Sequence, residues 1–171
     1  MSVRTITLTV NGETSTLEVP VGMTLHQLLS EGLHHHEVKS GCYIGECGLC
    51  TIILDGRPVN SCLVFAAEAD GAVIETGTRE TPEAGRLSDL QQAFVDFGAV
   101  QCGFCTPGML ASARALLQRH PRPTREQIVE ALAGNYCRCT GYEPIVNAVE
   151  AVAKGTYVPK PAPAAPYVGG E

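Results

Sequence analysis

Tryptophan is absent from this chain of 171 residues, and aromatic residues make up only 5% of it. A large aromatic core is excluded, so part of the stability must come from another source. No apolar run approaches the roughly 20 residues that a membrane-spanning helix needs. Cations are scarce: 12 Lys and Arg stand against 18 Asp and Glu, a net charge of −6. No basic patch is rich enough to track a phosphate backbone or an anionic membrane surface, so neither nucleic acid nor lipid is an expected partner. The opening residues, MSVRTITLTVNGE, hold neither an apolar stretch nor a twin arginine. No export signal is expected, and the chain is read as cytoplasmic. No nucleophile–base pair or nucleotide-binding loop stands out either.

What the chain has in excess is cysteine. There are eight: Cys42, Cys47, Cys50, Cys62, Cys102, Cys105, Cys137 and Cys139. Four disulfides would need an oxidising compartment, which the absence of an export signal argues against. Clustered cysteines in a reducing compartment point to metal.

The chain changes character near its middle. In Arg4–Val10, Ile6, Leu8 and Val10 alternate with threonines, the period of a half-buried strand. Asn11-Gly12 predicts a tight turn and Thr14–Val19 a return strand. Thr24 and Gln27 predict a capping box, followed by a short helix carrying Leu25, Leu28 and Leu29 and stopped at Gly32. Thr51–Leu54, the residues around Val59, and Ala72–Glu75 read as further strands, with Asp55-Gly56 as a turn. The stretch TGTRETPEAG (76–85) reads as a linker. Beyond it the period is helical. Ser88 with Gln91, Thr106 with Pro107, Thr124 with Gln127, and Thr140 with Glu143 mark four helix starts. The expected class is α+β, with an N-terminal unit over 1–79, a helical unit over 80–154, and a proline-rich tail over 155–171. That tail reads either as a disordered end or as a strap on a partner.

The first cysteine group has the spacing Cys42-x4-Cys47-x2-Cys50, with Cys62 further on. This is the plant-type [2Fe-2S] ligation pattern. Gly41, Gly45 and Gly48 let the backbone approach closely, so that N–H groups reach the sulfurs. The second group, Cys102-x2-Cys105 and Cys137-x-Cys139, fits either zinc or an iron–sulfur cluster by spacing alone. Both of its pairs precede predicted helix starts, where the dipole favours an anionic site. His34-His35-His36 resembles a metal site, but consecutive side chains diverge, and an exposed loop is expected. Arg138 stands between two thiols, where it would offset negative charge or pair with a carbonyl.

The segments GCYIGECGLCTIILDG (41–56), SCL (61–63), QCGFCTPGM (101–109) and GNYCRCTGY (134–142) closely resemble the iron–sulfur subunit of the xanthine oxidase family of molybdenum hydroxylases. The resemblance runs over roughly residues 4–153 and has all eight cysteines in order. It implies a β-grasp ferredoxin-like domain followed by a four-helix-bundle domain, each with one [2Fe-2S] cluster. Cys42, Cys47, Cys50 and Cys62 would hold the cluster distal to molybdenum. Cys102, Cys105, Cys137 and Cys139 would hold the proximal one. Gln101 and Cys139 would lie against the molybdopterin cofactor of a large catalytic subunit. The polar stretch at 34–40 and the TGTRE linker depart from the family's usual sequence.

The function expected from this is electron transfer. Electrons would leave a molybdopterin centre and pass through both clusters to FAD on a medium subunit, or to another acceptor such as a cytochrome. The expected assembly is a dimer of heterotrimers. The competing readings are a free-standing two-cluster ferredoxin, in which Gln101 has no special role, and a zinc or redox-sensing module.

Overall fold

The alternation of apolar residues with threonine does build a strand. In the computed structural model, which describes residues 2–79 and 87–159, β1 (Val3–Val10) buries Ile6, Leu8 and Val10. Asn11 and Gly12 both adopt positive φ and turn the chain into β2 (Glu13–Pro20), which pairs antiparallel with β1 along its full length. Thr14 and Thr16 stand opposite Thr9 and Thr7, and the hydroxyls meet at 3.0 and 2.9 Å.

The Thr24–Gln27 capping box forms in both directions and opens α1 (Leu25–Gln27). The helix then widens into a π-type turn that ends at Gly32. Leu25, Leu28 and Leu29 from this segment pack on the inner face of the sheet. β3 (Thr51–Leu54) and β4 (Arg57–Asn60) form a hairpin around Asp55 and Gly56, again both at positive φ. β5 (Val73–Glu75) slots between β1, to which it is parallel, and β3, to which it is antiparallel. The strand order is β2-β1-β5-β3-β4.

The polar stretch from Thr76 is not a free linker at its start. Thr76 is fully buried. Its N–H donates to Asn11 Oδ1 at 2.9 Å, and its hydroxyl donates to Glu37 Oε1 at 2.7 Å. Polar composition there serves hydrogen bonding, not solvation. The rest of the expected linker, 80–85, lies outside the described residues.

Among the described residues four helices follow: α2 (Asp89–Asp96), α3 (Thr106–Arg119), α4 (Arg125–Leu132) and α5 (Glu143–Ala153). Their core holds Leu90, Phe94, Met109, Leu116, Ile128 and Ile145. Leu87 and Phe97, at the two ends of α2, stay exposed. Ser88 and Thr124 make the expected capping boxes, and Pro107 sits in the first turn of α3.

The fourth expected start is corrected. Thr140 does not cap α5. Gly141 and Tyr142 both take a φ of 69°, a left-handed step that a helix cannot contain. The helix begins only at Glu143, with Tyr142 as its cap and no side-chain bond there. After α5 the chain stays on the helices as far as Tyr157, whose hydroxyl donates to Asp96 Oδ2 at 2.6 Å. The tail beyond residue 159 lies outside the described residues. No described helix is long and apolar enough to cross a membrane.

Candidate metal centres

The loop before β3 cannot be regular, because Tyr43, Gly45 and Gly48 all hold positive φ. The resulting coil points N–H groups at sulfur. Ile44 and Cys47 both donate to Cys42 Sγ, at 3.5 and 3.4 Å. Those N–H groups, Ile44's foremost, pull the Cys42 thiol down to about 7. A Cβ on Gly41 would meet Leu49 Cδ1 at 2.9 Å and Cys47 Sγ at 3.8 Å, so the backbone there is pressed against the site. Cys62 comes from the turn after β4 and meets Cys50, whose thiol burial pushes up to about 11. Ser61 locks the two segments together, donating from its hydroxyl to the Cys50 carbonyl at 2.8 Å.

The second group is built from two segments. Cys105 caps α3, as the sequence predicts. The second pair lies on the loop between α4 and α5. Cys139 does not directly precede a helix, because α5 starts four residues later. The dipole argument therefore holds for Cys105 and fails for Cys139. In its place, Thr140 hydrogen-bonds Cys137 Sγ at 3.1 Å, and Tyr142 Oη accepts from the Cys137 N–H at 2.9 Å. Burial raises the Cys137 thiol, but the Thr140 hydroxyl and backbone outweigh it, and the net shift is downward. Burial pushes Cys105 up to about 12. The Phe104 N–H holds Cys102 below its usual value, and contact with Cys102 raises Cys139.

Both groups share one plan. Cys50 and Cys62 are buried, whereas Cys42 and Cys47 are half-buried. Cys105 and Cys137 are buried, whereas Cys102 and Cys139 are exposed, their sulfurs 3.5 Å apart. Each group thus offers an inner and an outer pair of thiols. Thiols in two pairs suit a dinuclear cluster, in which each iron takes two of them, better than a single tetrahedral zinc.

The two groups touch. The Tyr136 N–H, one residue before Cys137, donates to the Cys47 carbonyl at 2.8 Å. Lys39 Nζ lies 5.1 Å over the Phe104 ring, between Cys102 and Cys105. Asn135, Ser112, Thr51 and Asn60 form a polar net around the same junction. Sequence reasoning missed this net; Asn135 stands there only inside the GNYCRCTGY segment. Gln101 is exposed beside Cys102. Arg138 donates to Tyr136 Oη at 3.3 Å.

The three histidines do not converge. His34 and His36 are exposed, with ring centroids 5.6 Å apart. His35 turns the other way to Glu37, 3.2 Å away. One further histidine was not singled out in the sequence: His26, buried beneath the first loop and edge-on to Tyr43 at 5.4 Å.

Comparison with known proteins agrees with this geometry. Residues 8–88 match the 2Fe-2S iron-sulfur cluster binding domain, and residues 75–150 match a [2Fe-2S] binding domain. The nicotinate dehydrogenase small FeS subunit of Eubacterium barkeri is 48% identical over 145 residues, which span 85% of this chain and 92% of that one. The xanthine dehydrogenase iron-sulfur-binding subunit of Escherichia coli O157:H7 is 48% identical over 149 residues, 85% of this chain and 91% of that one. Quinoline 2-oxidoreductase from Pseudomonas putida 86 contains a chain of the same fold, with a TM-score of 0.84 and 42% identity, matched over 90% of this chain and 95% of that one. With two cluster-binding domains in tandem and relatives matched over nearly their whole length, the chain belongs to the iron–sulfur subunits of the xanthine oxidase family of molybdenum hydroxylases.

Proposed function

We propose that the chain is the electron-transfer subunit of a molybdenum hydroxylase. Its N-terminal unit (1–79) is read as a β-grasp ferredoxin-like domain, with Cys42, Cys47, Cys50 and Cys62 as ligands. The helical unit (80–154) is read as a four-helix bundle, with Cys102, Cys105, Cys137 and Cys139 as ligands. Each [2Fe-2S] cluster, when bound, accepts and gives up one electron at a time.

The observation that carries the reading is the Tyr136–Cys47 hydrogen bond. It joins a residue next to an inner thiol of one group to an outer-thiol residue of the other. Together with the covalent step from Tyr136 to Cys137, it gives a short bonded route between the groups. The residues at each end fit entry and exit. Cys102, Cys139 and Gln101 are exposed on one face, where a large partner's molybdopterin cofactor would lie. Cys42 and Cys47 are flanked by exposed Tyr43, Ile44 and Leu63, an apolar surface for the next carrier. That carrier is FAD on a medium subunit, or a cytochrome, within a dimer of heterotrimers. Apolar residues exposed at both ends (Phe104 and Tyr136 beside the second group) favour a subunit over a free-standing ferredoxin, which would leave them in water.

The test uses the natively purified complex. Cys102→Ser is expected to abolish turnover with the physiological acceptor while molybdenum still binds. Normal turnover in that variant would sink the proposal. Elution of the wild-type chain alone near 18.1 kDa, with four irons and no molybdenum, would favour the free ferredoxin.

A further inference from the structure

Asn135 belongs to neither cysteine group, yet both lean on it. Its side chain is 4% exposed. Its amide Nδ2 donates to the Gly48 carbonyl at 2.8 Å and to Thr51 Oγ1 at 3.1 Å. Its Oδ1 accepts from Ser112 Oγ at 2.6 Å. One amide therefore ties three segments: the first cysteine loop, α3, and the loop that carries Cys137 and Cys139. Thr51 extends the net: its hydroxyl donates to Gly48 O at 2.7 Å and lies 3.3 Å from Asn60 Oδ1. Asn60 in turn donates to the Gly45 carbonyl at 3.0 Å.

The backbone is shaped to let this amide in. A Cβ on Gly48 would collide with the Gly134 carbonyl and come within 2.9 Å of Asn135 Nδ2. A Cβ on Gly108 would meet Gly48 O at 2.6 Å and Asn135 Nδ2 at 3.2 Å. The residue after Asn135 makes the hydrogen bond to Cys47, and Gly48, which Asn135 holds, is the residue after Cys47. The amide and the intergroup hydrogen bond are thus two adjacent rungs between the same two strands of chain.

We infer that Asn135 is a positioning residue that holds the two cysteine groups at a fixed distance and keeps the Tyr136–Cys47 bond closed, so that an electron crosses between them. This rests on the electron-transfer reading above. In the step it serves, Cys102, Cys105, Cys137 and Cys139 would hold the [2Fe-2S] cluster that gives up one electron, and Cys42, Cys47, Cys50 and Cys62 would hold the one that takes it up. Asn135 touches no ligand sulfur and exchanges no proton. Tunnelling falls steeply with separation and with broken contacts, so loosening this joint slows transfer without removing a ligand.

The experiment compares wild type with Asn135→Leu and the milder Ser112→Ala in the intact complex. Leu keeps the branched shape of the Asn side chain, is somewhat larger, and removes its hydrogen bonds. Ala removes only the bond that orients the amide. Three readouts apply: iron per chain, spin–spin splitting between the clusters in dithionite-reduced complex, and hydrogen exchange at the Asn135 and Tyr136 amides. A one-electron pulse from photoreduced deazaflavin then times redistribution between the clusters. Asn135→Leu is expected to keep its iron, weaken the splitting, speed amide exchange, and slow redistribution severalfold. Ser112→Ala should move the same way by less. Wild-type splitting and redistribution in an iron-replete Asn135→Leu complex overturn the inference. If Asn135→Leu loses iron, the same null result in Ser112→Ala overturns it. The electron-transfer reading fails differently, by normal turnover in Cys102→Ser, so the two failures are distinguishable.

Discussion

At the scale of single residues, two glycines with similar dihedrals do different work. Gly48 and Gly71 have φ of 64° and 78°. A Cβ on Gly71 meets nothing within 4 Å, whereas one on Gly48 collides with the backbone of Gly134 and Asn135. Gly71→Ala should therefore cost only the left-handed penalty of about 1–2 kcal/mol. Gly48→Ala should cost more than that and lower iron content, because backbone on both sides cannot yield. Thermal melts with iron analysis of both variants check the contrast; equal effects would contradict it. His26 makes a pH prediction. Burial lowers its pKa from 6.5, against the pull of the Glu31 carboxylate. The folded state thus prefers the neutral ring, and the unfolded state binds the proton more readily. Its contribution is full above about pH 6.5 and is lost as pH falls from there through the folded value. His26→Phe keeps an aromatic edge against Tyr43 and removes the titration. The fall in melting temperature between neutral pH and pH 5 should be shallower in that variant, and an unchanged slope would exclude His26 as its source.

At the scale of elements, local signals were legible where local chemistry decides. Three Ser/Thr–Gln capping boxes appear where the sequence puts them, since each closes within four residues. Thr140 and Glu143 have the same spacing and form none. There the left-handed step at Gly141 and Tyr142 takes over, and the Thr140 hydroxyl is occupied by the Tyr142 N–H at 3.2 Å and the Cys137 sulfur at 3.1 Å. The pattern was right, but its geometry belongs to the cysteine loop. Thr124→Ala should cost about 1 kcal/mol in a thermal melt and leave cluster spectra alone. Thr140→Ala should leave α5 intact and shift the electron paramagnetic resonance of the helical-unit cluster. The reverse pattern would restore Thr140 as a cap. Cysteine spacing was equally legible, because ligands within one turn are fixed by chain length. The Asn135 net was not. Asn135, Ser112 and Thr51 look like any polar residues, and only packing between elements far apart in sequence buries them.

At the scale of the whole molecule, α3 joins the two units. Ala111 and Ala115 pack on Ile53 of β3, small residues that let the helix lie close to the sheet. A Cβ on Gly77 would collide with the Pro107 backbone, so the end of the sheet also presses on the start of α3. Arg114 completes the joint. It is 4% exposed, donates to the Thr76 carbonyl at 2.8 Å and lies 3.4 Å from Glu75 Oε2. Glu75 also pairs with Arg79 at 2.9 Å, and Thr76 is bound in turn by Asn11 and Glu37. The guanidinium thus plugs one unit into a hydrogen-bonded hub of the other. Buried charge of this kind contributes specificity of docking more than net stability, since its desolvation offsets much of its attraction. Removing one partner is another matter. Arg114→Met retains most of the stem volume but strips the Thr76 carbonyl of a donor and leaves Glu75 with Arg79 as its ion-pair partner among the described residues. The expected loss is about 3 kcal/mol, the lower end for a broken buried pair because Arg79 remains. With the joint weakened, calorimetry should resolve two unfolding transitions where wild type shows one, and the splitting between the clusters should weaken with it. A single transition shifted by less than about 0.5 kcal/mol, the scale of an ordinary surface change, would mean that the apolar contacts of α3 hold the units together without Arg114.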